Sequence, residues 1–175
     1  MPLPDIIFLN GPSSSGKTTL SKALQRQMED VYLHVPIDAF AAMFPECKLD
    51  DREICASAAP RLFEGYYRSV VALVLSGNKV IVDTVDHEHP MKVFDALFRP
   101  FEVMYVAVRC PLEELERREL ARGDRSIGLA RRQFAEVHQF LRYDVEVDTH
   151  AQNAKESVAL IKQFINNAMP SVDHK

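Results

Sequence analysis

The sequence predicts an α/β fold: a three-layer, doubly wound sheet of about five parallel strands with helices on both faces. Two observations carry this. Short apolar runs alternate with longer segments whose apolar residues recur at helical spacing, with no Gly/Ser/Pro-rich linker and no fixed-period repeat between them. The short runs are also near-continuously apolar or β-branched, as strands covered on both faces must be.

The first run, Ile6–Leu9, reads as a strand and leads to a helix over Lys17–Glu29, where Leu20, Ala23 and Leu24 share one face. A second strand spans Tyr32–Ile37. The segment Arg61–Ser76 sets Leu62, Phe63, Tyr66, Val70, Leu73 and Val74 at helical spacing and predicts a long helix. Strand Lys79–Asp83, a helix over His89–Phe98 and strand Glu102–Val108 follow, then helices over Leu112–Ala121 and Leu129–Arg142. Tyr143–Thr149 alternates acids with valine, the pattern of an edge strand, placed at Val145–Asp148. A last helix covers Ala154–Ala168. Strand–helix alternation of this kind gives right-handed crossovers, with ligands at the carboxyl ends of the strands. Functional residues are therefore expected just after each strand.

At 175 residues the chain has the size of a single domain, 1–175, able to bury roughly two thirds of its unfolded surface. A formal charge of −4 and a pI near 5.9 exclude any general attraction to nucleic acid or to an anionic membrane. A polyanion site must then be local, and the expected partner is small. Cys47, Cys55 and Cys110 form no CxxC pair and cannot all pair within the chain, which fits a reducing cytoplasm. The amino-terminal residues lack the basic start and apolar core of a signal peptide. The longest later apolar run, Val70–Leu75, falls far short of the ~20 residues that cross a bilayer. No feature favours a particular oligomeric state.

Gly11-Pro12-Ser13-Ser14-Ser15-Gly16-Lys17-Thr18 matches GxxxxGK[ST] in full, directly after a strand and directly before a helix. A surface turn that fits this pattern by chance would lack those flanking elements. The motif is a phosphate cradle, the P-loop. Its glycines let backbone N–H groups turn inward, and the helix amino terminus adds partial positive charge. Lys17 is expected to reach the β- and γ-phosphates and Thr18 to ligate Mg²⁺, with Thr19 completing the nucleotide-binding set.

The second strand delivers Asp38 beside the cradle. A carboxylate there can orient an acceptor hydroxyl and take its proton, so Asp38 is the candidate general base. Asp is also a favoured helix N-cap, and the turn Ala39–Met43 leaves that structural role open. The third strand ends in Asp83, in the manner of a Walker B carboxylate; it is a candidate Mg²⁺ ligand, with contact to the acceptor as the alternative. Asp86, His87, Glu88 and His89 lack the spacing that aims ligands at one ion and are expected in a solvated loop.

Arg122 and Arg125 stand in a basic segment interrupted by Gly123 and closed by Gly128, and Arg131 and Arg132 open the next helix. A mobile lid over about 122–132 would bring guanidiniums onto the transferring phosphoryl group and exclude water. Arg122 and Arg125 are the lid candidates; pairing with Glu116, Glu119 or Asp124 is the structural alternative. Arg109 is a separate basic group at the end of the fourth strand and is assigned no role, anchoring of Glu113 or the turn being the structural alternative. Phe40, Met43, Phe44, Phe63, Tyr66 and Tyr67 could line an acceptor pocket, although helical spacing favours core packing for Phe63 and Tyr66. His138 reads as a half-buried structural histidine.

With these residues in view the chain resembles the chloramphenicol phosphotransferases and similar P-loop small-molecule kinases. The likeness rests on Ile7-Phe8-Leu9-Asn10-Gly11 running into Ser13-Ser14-Ser15-Gly16-Lys17, on Asp38 and on Val106–Cys110. It is most specific over Ala121–Arg125, Gly128–Ala130, Gln133, Val137-His138 and Tyr143–Thr149. The resemblance implies ATP- and Mg²⁺-dependent phosphorylation of a hydroxyl on a small molecule, with Asp38 as base, Lys17 and Arg125 stabilising charge, and Arg122 and Arg125 in the lid. The segment Phe40–Gly65, which would form much of the acceptor pocket, departs from the family pattern and leaves the acceptor open. Two other readings stand beside this one. Zeta-toxin-like kinases of nucleotide sugars have a similar cradle, strand-end Asp and arginines. A non-catalytic nucleotide switch is the third, although no NKxD-type guanine motif occurs.

Overall fold

Five parallel strands form one sheet: β1 (Ile6–Asn10), β2 (Tyr32–Pro36), β3 (Lys79–Thr84), β4 (Val103–Arg109) and β5 (Val145–Asp148), in the order β2-β3-β1-β4-β5. The computed structural model describes residues 3–45, 52–86, 96–123, 127–139 and 141–168, and of Arg52, Cys55 and Ala168 the backbone alone. Six helices are traced among the described residues: α1 (Lys17–Gln27), α2 (Ile37–Ala41), α3 (Arg52–Leu75), α4 (Leu112–Arg122), α5 (Leu129–Phe134) and α6 (Ala154–Ala168).

β1 is central, and all five of its residues are buried. Its pleat explains its unbroken apolar run. Ile7 and Leu9 face α1 and α6, packing with Leu20, Leu24, Val158 and Ile161, whereas Ile6 and Phe8 face Tyr66, Tyr67 and Val70 of α3. The two clusters are the two outer layers closing on the sheet. β1 leads through α1 to β2 on one side, and β4 leads through α4 to β5 on the other. Connections therefore diverge at the carboxyl ends of β1 and β4, the crevice where doubly wound sheets bind ligands.

Three elements differ from the sequence reading. α3 begins at Arg52 rather than Arg61 and contains Pro60; a proline without an N–H normally stops a helix, which is why the pattern reads as starting after it. α5 ends at Phe134 rather than Arg142. The Val137 carbonyl, which would continue the helix, accepts instead from Asn10 Nδ2 at 3.0 Å. β2 stops at Pro36, so Ile37 belongs to α2 and Asp38 sits in its first turn, with Pro36 as N-cap, which removes the alternative structural role of Asp38 as the cap. Residues 96–98 are helical, and the rest of the expected His89–Phe98 helix lies outside the described residues. Among the described residues no helix is long and apolar enough to cross a membrane.

Candidate active site

Between β1 and α1 the backbone passes through two left-handed residues, Ser14 (φ 65°) and Gly16 (φ 91°). Ser14 alone among the described non-glycine residues has positive φ. Left-handed residues within such a turn point successive N–H groups into one concave nest suited to an anion, and the strain they carry collects at functional sites. Gly11 is needed for another reason: a Cβ there would stand 2.4 Å from the Val108 carbonyl oxygen and 2.9 Å from Ser15 Oγ. Lys17 is buried, its Nζ donating to the carbonyls of Gly11 and Pro12 at 2.9 Å each. The ammonium thus lies along the first half of the loop.

At the other side of the loop's end, Thr18 Oγ1 donates to Asp83 Oδ2 at 2.8 Å, and His34 Nε2 meets the same oxygen at 3.1 Å. Asp83 is only 4% exposed. Burial alone would favour its neutral form, but the hydrogen bond from His34, the Lys17 charge and the Thr18 hydroxyl outweigh it and hold the carboxyl below the ordinary range. In the β2–β3 register Pro36 lies opposite Asp83, so the two strands deliver Asp38 and Asp83 to the same end of the sheet.

One cavity of about 790 Å³ gathers these groups. Ser13, Ser14, Gly16, Lys17, Thr18 and Thr19 line it, together with Asp38 and Asp83. Arg117, Arg118 and Arg122 of α4 line the same cavity, and Ile37, Phe63 and Val85 give it an apolar patch. A chain of net charge −4 has thus concentrated basic groups around its phosphate cradle, as a local polyanion site requires.

Arg118 is fixed at the edge of the cradle. It donates to Glu114 at 2.7 Å, to the Thr149 hydroxyl and carbonyl at 3.1 and 3.0 Å, and to the Ser14 carbonyl at 3.5 Å. Thr149, just after β5, donates in turn to the Ser15 carbonyl at 2.6 Å. On the opposite side the Ser13 N–H donates to Gln133 Oε1 of α5 at 2.7 Å. Arg122 reaches the cavity from the last turn of α4, while Arg125 lies outside the described residues. Arg109 does anchor, but to Glu146 through two bonds of 2.7 and 3.0 Å rather than to Glu113. Arg131 pairs with Glu116 at 2.7 Å on the surface.

Tyr66 and Tyr67 are core residues and Met43 is exposed, so of the aromatic candidates Phe63 is the one that reaches the cavity. Asp86 corrects the expectation of a solvated loop. It is fully buried, and its Oδ2 accepts from the Tyr67 hydroxyl. Its backbone N–H donates to Asn10 Oδ1 at 2.8 Å, and burial raises its carboxyl to about 7. His87, Glu88 and His89 lie outside the described residues. Asn10 Nδ2 also donates to the Tyr143 hydroxyl at 2.9 Å, and Tyr143 meets His138 Nδ1 at 3.0 Å. His138 is half-buried, as expected, and burial with the nearby Arg109 charge lowers it to about 4. Cys110 is a buried free thiol.

The model of the chloramphenicol phosphotransferase-like protein family matches residues 4–166. The chain belongs to that family. A Mycobacterium tuberculosis H37Rv relative, provisionally named an O-phosphotransferase, is 34% identical over 86% of this chain and 77% of its own length. Among solved structures, a Chloroflexus aurantiacus protein provisionally titled a kinase shares 22% identity with a TM-score of 0.74, covering 97% of this chain and 100% of that one. The M. tuberculosis APS kinase CysC, solved with AMPPNP and APS, shares 13% identity with a TM-score of 0.70, covering 94% and 99%. This chloramphenicol phosphotransferase-like protein is thus a phosphotransferase by family, and its fold is that of the two solved structures. His34 and Arg118 had no signal in its motifs, because each acts through a contact made across the fold, and Asn10 appeared only within the run Ile7–Gly11 that carries the family resemblance. Gln133 was visible only through the family resemblance.

Proposed function

We propose that this protein transfers the γ-phosphoryl group of ATP, bound with Mg²⁺, to a hydroxyl of a small molecule with an apolar body. The observation that carries the reading is the meeting of the P-loop, Asp38, the Thr18–Asp83 pair and the α4 arginines in one cavity. The N–H groups at the start of α1 would hold the β-phosphate. Lys17 would exchange the Gly11 and Pro12 carbonyls for β- and γ-oxygens, and Arg122 and Arg125 would neutralise charge on the transferring group. Arg118 and Thr149 would border the nucleotide on the far side of the loop.

The Thr18 hydroxyl and the ionised Asp83 carboxylate suit Mg²⁺, which takes few protein oxygens and keeps several waters. A Mg²⁺ ion held by these two residues would supply positive charge against the phosphates. Asp38 is exposed to the cavity next to Ile37, and Phe63 lines the same space. These apolar side chains support an acceptor with an apolar body whose hydroxyl meets Asp38. As the new O–P bond forms and the β,γ-bridging bond breaks, the hydroxyl proton passes to the Asp38 carboxylate and ADP leaves.

The test is coupled ADP release with ATP and Mg²⁺ over hydroxylated small molecules, UDP-sugars included, with Lys17→Ala as blank. Asp38→Asn is expected to bind ADP normally and to lose roughly 10²–10⁴-fold in transfer. Full transfer by Asp38→Asn would remove it as base. A response confined to UDP-sugars would move the acceptor to the nucleotide-sugar class, and ATP binding without transfer to any acceptor would favour a switch.

A further inference from the structure

We propose that Gln133 grips the γ-phosphoryl group directly, its carbonyl clamped to the P-loop and its amide NH₂ offered to a phosphoryl oxygen. The proposal rests on the kinase reading above and adds a substrate-contacting residue to it. The Ser13 N–H holds Gln133 Oε1 at 2.7 Å, a bond between loop and helix across 120 residues of sequence. A carboxamide fixed by its oxygen directs its nitrogen away from that donor. The Gln133 NH₂ makes no hydrogen bond to any described residue, and the side chain lines the cavity.

The position along the nucleotide follows from the two ends of the loop. Arg118 and Thr149 bond the carbonyls of Ser14 and Ser15 on one flank. On the other, the Lys17 ammonium rests on the carbonyls of Gly11 and Pro12, immediately before Ser13. With the β-phosphate at the start of α1, the phosphoryl group beyond it comes to the Lys17 and Ser13 side, where Gln133 stands.

The helix that carries Gln133 is anchored on both sides of it. Glu119, 2% exposed, accepts from the N–H groups of Gly128 and Ala130 at 2.8 and 2.9 Å. The Val137 carbonyl, one turn beyond Gln133, accepts from Asn10 at 3.0 Å. An amide mounted in this way is pre-positioned, so little ordering remains to be done when the nucleotide binds.

Two variants separate gripping from bracing. Gln133→Glu keeps an oxygen for the Ser13 N–H but loses the donor and sets a negative charge against the phosphoryl group; Gln133→Leu loses both. With Mg²⁺ present, affinities for ADP and for the β,γ-imido analogue of ATP are measured by calorimetry, alongside single-turnover transfer. Both variants are expected to bind ADP within about twofold of wild type, to lose about 10- to 100-fold for the triphosphate analogue, and to slow transfer, Glu more than Leu. Wild-type triphosphate affinity in Gln133→Glu would show that the residue only braces Ser13 and would overturn the proposal, as would equal losses for ADP and the analogue. Wild-type protein that binds neither nucleotide would overturn the kinase reading itself.

Discussion

Replacing Gly11 with alanine inserts one methyl group where β1 turns into the cradle. The new Cβ would lie 2.4 Å from the Val108 carbonyl oxygen, at least about 0.6 Å inside the 3.0 Å limit of real Cβ contacts. That oxygen belongs to β4, a strand paired on both sides, and cannot swing away as a side chain end could. The loop must give instead. Overpacking of this kind costs about 1–3 kcal/mol, or roughly 2–12 °C in Tm for a chain of this length. A shift of the cradle on the order of 1 Å can also cost about 10²-fold in transfer. Gly65, inside α3, has nothing within 4 Å of its would-be Cβ; Gly65→Ala is the control and is expected to stabilise by about 0.5–1 kcal/mol. Thermal denaturation and ADP affinity of both variants decide the matter. Wild-type Tm and ADP affinity in Gly11→Ala would refute the close-approach reasoning.

Two further predictions concern buried charge. Asp86, raised to about 7 from an ordinary 3.8, is neutral in the fold at acid pH; the stability this contributes is complete below about 3.8 and lost as pH rises through about 7, on the order of 4 kcal/mol in all. His138, lowered from 6.5 to about 4, acts oppositely, contributing stability above 6.5 that is lost as pH falls towards 4. Asp86→Asn is therefore expected to gain stability relative to wild type as pH rises from 4 to 7.5, read from urea midpoints; parallel profiles would show that Asp86 is not held neutral. Glu119→Ala leaves the N–H groups of Gly128 and Ala130 without their acceptor. It should cost about 1–3 kcal/mol of stability and weaken the triphosphate analogue more than ADP, because α5 carries Gln133. An unchanged ratio of the two affinities would separate α5 from the phosphate end of the site.

Much of this architecture was legible because both faces of the sheet are covered. All five strands were placed to within one or two residues: burial on two sides forces apolar runs such as Ile6–Leu9, and the edge strand β5 showed instead as an alternation of valine with acids. The cradle was legible for a local reason: its spacing, its glycines and its lysine all lie within eight residues of chain. What failed to show was made by contacts across the fold. Asp86 stands in a polar stretch that reads as solvated, and it is buried because Tyr67 of α3 and Asn10 of β1 close on it. His34 is a polar residue in an apolar strand, and its role appears only when β2 pairs with β3 and brings it onto Asp83. The early half of α3 was obscured by Pro60, whose local cost is outweighed by the packing of Tyr66, Tyr67 and Val70 beyond it.

The origins of the site groups divide its two ends. At the phosphate end the cradle and Asp83 come from the ends of β1 and β3 and the start of α1, and Asn10 cross-ties them to the segments before β5 and after α5, while Arg118, Arg122 and Gln133 reach this end from α4 and α5. Asp38, Ile37 and Phe63, at the acceptor end, come from the short helix α2 and from α3. α2 has no buried residue and ends before the exposed Met43. Substitutions there change what meets Asp38 without moving the cradle. A sequence can then depart from its family between Phe40 and Gly65 and keep the transfer chemistry, because on this reading the cradle, Asp38 and Asp83 all lie outside the departing segment.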